Sequence, residues 1–62
     1  MSDELFKEIA DVMYARRYAW SLDGWDDGHK IDVYDWHGQK CLAIIVVNKV
    51  GDVAGALAAA GL

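Results

Sequence analysis

The sequence predicts an α+β fold of order αβββα, a three-stranded antiparallel sheet with two helices packed on one face. Three observations predict it. Apolar residues recur at helical spacing over residues 3–16, the period changes to two after Arg17, and the chain closes on an alanine- and glycine-rich segment of helical character.

In the first segment Leu5, Ile9, Val12 and Met13, with Phe6 and Ala10 beside them, form one apolar stripe. Glu4, Lys7, Glu8 and Asp11 occupy the other side. Ser2 is suited to the N-cap, Asp3 and Glu4 to the positive end of the helix dipole, and Arg16 and Arg17 to its negative end. Over 17–22 Tyr18, Trp20 and Leu22 share one face and Arg17, Ala19 and Ser21 the other, as in a strand. Asp23-Gly24 and Asp27-Gly28 are turn dipeptides, so 23–28 reads as a hairpin loop. A second strand over 29–36 points Ile31 and Val33 inward and Asp32, Tyr34 and Trp36 outward. Trp20 is expected in the core.

His37-Gly38-Gln39 makes the next turn. The third strand, 40–47, is apolar on both sides: Leu42, Ile44 and Val46 on one, Cys41, Ala43, Ile45 and Val47 on the other. In a meander this strand lies at the sheet edge, where one face normally meets water. Its second face therefore calls for a cover, from a second copy, a protein partner or the terminal segments. Asn48 can cap a final helix over 49–60, with Val50, Val53 and Leu57 at apolar spacing and Gly61 at the C′ position. Gly51 and Gly55 weaken that helix by about 1 kcal/mol each relative to alanine, and the small residues keep it thin.

Residues 1–62 make one small acidic domain with 55% hydrophobic residues and no proline. That is too apolar for disorder. Such a chain buries only about 60% of the surface its unfolded form exposes, so a partner or unusually good packing is expected to supplement its core. The single Cys41 allows no internal disulfide and suits a reducing cytosol. No signal peptide is read at the acidic N-terminus. Asn48, Lys49 and Asp52 interrupt the apolar C-terminal third, where charges in a bilayer cost about 2.5–3.5 kcal/mol each, so a membrane span is not expected.

The formal charge of −4 has one source. The stretch Asp23–Asp35 holds Asp23, Asp26, Asp27, Asp32 and Asp35 against Lys30, while the rest of the chain has five bases and five acids. Such a balance argues against direct nucleic-acid binding and suits a basic protein partner. Carboxylates two apart on a strand stand about 6.6 Å apart and can present a row of negative charge, somewhat as phosphates do. Asp35 is out of register with that row; it either lies beyond the buried part of the strand or partners Arg16 or Arg17. Trp25 in the loop, with Tyr34 and Trp36 beside Asp32, would add aromatic anchors to the carboxylates. The expected partner-binding residues are thus Asp23, Trp25, Asp26, Asp27, Asp32, Tyr34, Asp35 and Trp36. The structural alternative is a solvated surface that only keeps the domain soluble.

Other chemistry finds little support. Read as a calcium loop from Asp23, the stretch has Trp25 at position 3 and Tyr34 at position 12, where oxygen ligands are needed. His29, His37 and Cys41 lack compact zinc spacing, and an acidic neighbourhood does not activate a thiol. No metal, no cofactor and no catalytic residue is expected.

Over its whole length, from SDELFKEIADVMYARRYAW through DGWDDGHKIDVYDWHG to NKVGDVAGALAAAGL, the chain resembles the small anti-CRISPR proteins of phages and mobile elements, and among them inhibitors of the type I-C system. The resemblance implies a non-enzymatic inhibitor that binds the Cascade surveillance complex. It further implies an acidic surface imitating DNA at the site on the large subunit that reads the protospacer-adjacent motif. The acidic stretch itself, rather than any family motif, nominates Asp23, Asp26, Asp27, Asp32 and Asp35 for the arginines and lysines there. Such an inhibitor is expected as a monomer or weak homodimer; the competing expectation is a homodimerising structural or regulatory module built on the third strand. A metal- or thiol-dependent enzyme is the last alternative.

Overall fold

The computed structural model describes residues 3–24 and 28–62, in the order α1 (Asp3–Ala15), β1 (Ala19–Gly24), β2 (His29–Tyr34), β3 (Cys41–Val47) and α2 (Val53–Ala59). Ser2, the expected cap of α1, lies outside the described residues. The strands form one antiparallel sheet in the order β1-β2-β3, so β2 is central and β1 and β3 are edges. The αβββα arrangement expected of the sequence is the one observed.

Register decides which side of each strand is inside. Trp20 pairs with Val33, Leu22 with Ile31, Ile31 with Ile45, and His29 with Val47. This aligns the apolar residues of all three strands on one face, where α1 and α2 cover them. Leu5, Ile9 and Met13 of α1, Ile31 and Val33 of β2, Ile45 and Val47 of β3, and Val53 and Leu57 of α2 are buried in one cluster. Val12, Tyr18, Trp20, Leu22, Ala56 and Leu62 pack around its margin. Trp20 is half-buried, held edge-on by Phe6 at 5.4 Å between ring centroids.

Both helices end in the same way. At α1, Arg17 N–H donates to Tyr14 O (3.1 Å) and Tyr18 N–H to Met13 O (2.9 Å); at α2, Gly61 N–H donates to Ala58 O (3.0 Å) and Leu62 N–H to Leu57 O (2.9 Å). These are paired 5→2 and 6→1 bonds around a left-handed residue, which satisfy the last carbonyls. Gly61 takes φ +84° without steric cost, whereas Arg17 takes φ +60° despite its Cβ.

The start of α2 departs from expectation. Asn48 does not cap it; the helix begins at Val53, with Asp52 as N-cap making no side-chain cap bond. The missing acceptor comes from α1: Glu8 Oε1 accepts Gly51 N–H at 2.8 Å, and Oε2 accepts Gly51 N–H at 3.1 Å and Val53 N–H at 3.4 Å.

Candidate protein-interaction face

With both helices on one side, the opposite face of the sheet has no cover among the described residues. The register lays its side chains out in rows. Ser21 of β1, Asp32 of β2 and Ile44 of β3 stand across from one another; toward the β1–β2 end come Lys30 and Val46, and toward the other end Ala19 and Tyr34.

Two bulges shape this face. On β1 the pairing steps from Leu22 to Gly24 while β2 steps from Ile31 to Lys30, so Asp23 is an extra residue. An extra residue re-aims a side chain locally, and the Asp23 carboxylate meets the Lys30 ammonium at 3.5 Å, both groups being exposed. On β3 the pairing steps from Ala43 to Cys41 while β2 steps from Val33 to Tyr34, leaving Leu42 as the extra residue.

The rows differ sharply in chemistry. Along β1 the outer residues are small or polar, as suits an edge strand. Along β3 they are apolar and exposed: Leu42 at 36%, Ile44 at 54% and Val46 at 53%. Between the free edge of β3 and α2 runs an open groove of about 320 Å³, lined by Ile44, Ile45, Val46, Ala56, Ala59 and Ala60. Among the described residues the terminal segments, which could have covered the outer side of β3, lie elsewhere: Leu5 is in the core and Leu62 packs against it. Ile45, on the other side of the same strand, is buried at 4% exposure.

Of the eight residues nominated by the sequence, Asp23, Asp32 and Tyr34 come together on the open face. Asp32 is half-buried between its neighbours, and its Oδ1 is fully enclosed without a hydrogen-bond donor among the described residues. Trp25, Asp26 and Asp27 lie outside the described residues. Asp35 is engaged locally: its Oδ1 accepts Gln39 N–H at 2.8 Å and Lys40 N–H at 3.4 Å. Of its two expected locations the first is the one observed: Asp35 lies just beyond the end of β2 at Tyr34, where the carboxylate organises the β2–β3 turn. Donation from the Gln39 amide, against some desolvation and with help from the Lys40 amide and the His37 charge, holds the Asp35 carboxyl below the ordinary value of 3.8.

Trp36 also leaves the row. β2 ends at Tyr34, and the Trp36 ring turns to the helix layer, edge-on to Tyr14 at 5.8 Å. The Arg17 guanidinium lies over both rings, 5.0 Å from the Tyr14 centroid and 5.7 Å from that of Trp36, and donates to Tyr14 O at 2.8 Å. Sequence reasoning missed this cluster, because it needs the α1–β1 and β2–β3 connections to meet at one end of the sheet. Arg16, Arg17, His37 and Lys40 therefore share the end of the sheet away from the Asp23–Lys30 pair.

Cys41 is exposed, with its thiol donating weakly to Ala43 O at 3.8 Å. Among the described residues no three histidine, cysteine or carboxylate side chains are grouped to hold a metal. Among them, too, no helix is long and apolar enough to cross a membrane. No protein-family model matches the chain, and no curated protein or solved structure matches it either.

Proposed function

We propose that this protein is a non-enzymatic inhibitor that binds a basic, nucleic-acid-handling protein through its acidic hairpin. The resemblance described above names the type I (I-C) Cascade complex in a bacterial cytoplasm as the target and its large subunit as the docking site. One observation carries the reading: Asp23 and Asp32 stand on the same uncovered sheet face, at the hairpin whose loop adds Asp26 and Asp27 in sequence. Among the described residues Lys30 alone offsets them on that face, so the surface keeps negative charge for a cationic partner. On this reading Asp23, Asp26, Asp27 and Asp32 compete with DNA phosphates, and Tyr34 supplies aromatic contact beside them.

The test is capture of purified type I-C Cascade on the immobilised protein, with elution by a salt gradient. Recovery at moderate salt, blocked by prior loading of Cascade with target DNA, is the expected result. The double reversal Asp26→Lys with Asp27→Lys should abolish capture while the circular dichroism spectrum stays unchanged. Capture that persists in the double variant, or that DNA does not block, would sink the mimicry.

A second reading has its own observation. The exposed Leu42, Ile44 and Val46 on an edge strand suit a homodimer in which the acidic residues serve only solubility. Its test is the sedimentation coefficient of the protein and of Ile44→Lys, the substitution falling on Ile44 because Ile45 belongs to the core.

A further inference from the structure

The two edges of the sheet are not alike, and the difference says what the open face accepts. β1 is defended in the usual manner, with a bulge, a charge and small residues on its outer side. β3, with the sequence CLAIIVV, has no lysine or proline to discourage association, and its outer row is half exposed. Asp32 stands directly opposite Ile44, one strand spacing of about 4.8 Å away. Its enclosed Oδ1 lacks a donor among the described residues, and that oxygen loses hydration without compensation. Oδ2 is not enclosed, and is the oxygen that can meet an incoming donor.

Charge then selects among occupants. The face carries Asp23 and Asp32 against Lys30, and the whole chain carries −4, so a second copy would bring like charge to like. An acidic partner is disfavoured for the same reason. A purely polar cationic surface would leave Leu42, Ile44 and Val46 in water. The occupant that answers every feature is apolar and cationic at once.

We propose that the outer face formed by Asp32, Tyr34, Leu42, Ile44 and Val46 seats an apolar ridge of a partner protein that carries an arginine or lysine beside it, the cation meeting Asp32 and the ridge covering β3. The proposal rests on the reading that the chain binds a basic protein, and gives that contact an apolar half as well as an electrostatic one. Charge at the hairpin steers the encounter, and burial of the β3 row holds the complex.

The probe is a short synthetic strand peptide presenting leucine and arginine on one face, titrated into the ¹⁵N-labelled full chain. Two control peptides replace arginine by glutamate or leucine by serine. Amide shifts confined to residues 32–34 and 42–46 are expected, with each control binding about tenfold more weakly. Asp32→Asn and Ile44→Ser should each weaken binding of the parent peptide about tenfold, with the dispersion of the spectrum retained. If the serine control binds as well as the parent, charge alone acts and the proposal fails. It fails also if shifts fall elsewhere or none occur at millimolar peptide. Sedimentation of the chain alone should give a monomer; a dimer dissolved by Ile44→Lys would mean that a second copy occupies the face. No Cascade component is used, so loss of Cascade as the target and loss of this face are separate results.

Discussion

The carboxylate of Glu8 accepts the amide of Gly51 through both oxygens, at 2.8 and 3.1 Å, and so the first helix caps the second. The second helix has only seven residues, Val53–Ala59, and two unusually weak features: no side-chain bond from its own N-cap and a glycine within it. Isolated helices of that length do not persist in water. What holds it is burial of Val53 and Leu57 together with the borrowed acceptor.

Replacing Glu8 by alanine is therefore expected to destabilise the domain by about 1–2 kcal/mol, the range for loss of a charged cap. Glu8→Gln, which keeps one acceptor, should cost about half of that. Urea midpoints at constant m-value measure both, and an unchanged midpoint for Glu8→Ala would show that water replaces the carboxylate.

Asp35 gives the domain an acid-sensitive turn. Because its folded pKa lies below the ordinary 3.8, it stabilises the fold at neutral pH, and that contribution disappears as pH falls through the ordinary value toward the lowered one. Asp35→Asn should be less stable than the parent at pH 7, and the gap should close below about pH 4. A gap independent of pH would assign the effect to geometry alone.

Arg17 holds a left-handed conformation that costs a non-glycine residue about 1–2 kcal/mol. Stacking on Tyr14 and Trp36 returns about 0.5–1 kcal/mol at an exposed site. Arg17→Ala keeps the strain and loses the stacking, and is expected to lower stability by about 1 kcal/mol. Arg17→Gly loses both and should come within about 1 kcal/mol of the parent. Thermal midpoints that rank alanine above glycine would contradict this account.

Gly28 stands where the chain enters β2 at φ +127°, and a Cβ there would collide with Asn48 Oδ1 and, at 2.8 Å, with Val46 Cγ1. Gly28→Ala is expected to cost about 1–3 kcal/mol. Amide shifts in the ¹⁵N spectrum should concentrate at residues 46–48; a silent substitution would mean that the strands separate freely there.

The order of elements was legible because α1 repeats Leu5, Ile9 and Met13 at helical spacing and β2 alternates Ile31 and Val33, patterns that local geometry alone produces. The two-sided strand Cys41–Val47 was visible too, but not which side faces in. Pairing of Ile31 with Ile45 settles that, and it is a long-range fact. The start of α2 failed for the same reason. Asn48 was a sound local cap, but Gly51 at φ +97° breaks the helical path and Glu8 supplies the acceptor from another helix. At the site, alternation brought Asp32 and Tyr34 to one face. The Asp23 bulge, the Asp35 turn and the turning of Trp36 toward Tyr14 depend on register and on which connections meet.

The meander has a kinetic consequence. Each strand pairs only with its neighbour in sequence, so hairpins β1–β2 and β2–β3 close over short loops, and contacts of this kind favour rapid folding. A much longer closure joins α1 to the start of α2, where Glu8 reaches Gly51 and Val53. A chain that has zipped its sheet but not yet made that closure would expose the inner faces of Ile31, Val33 and Ile45 on one side while Ile44 and Val46 are bare on the other. In such a chain β3 alone would be apolar on both sides, an exposure that favours aggregation and that docking of the helices removes from its inner side.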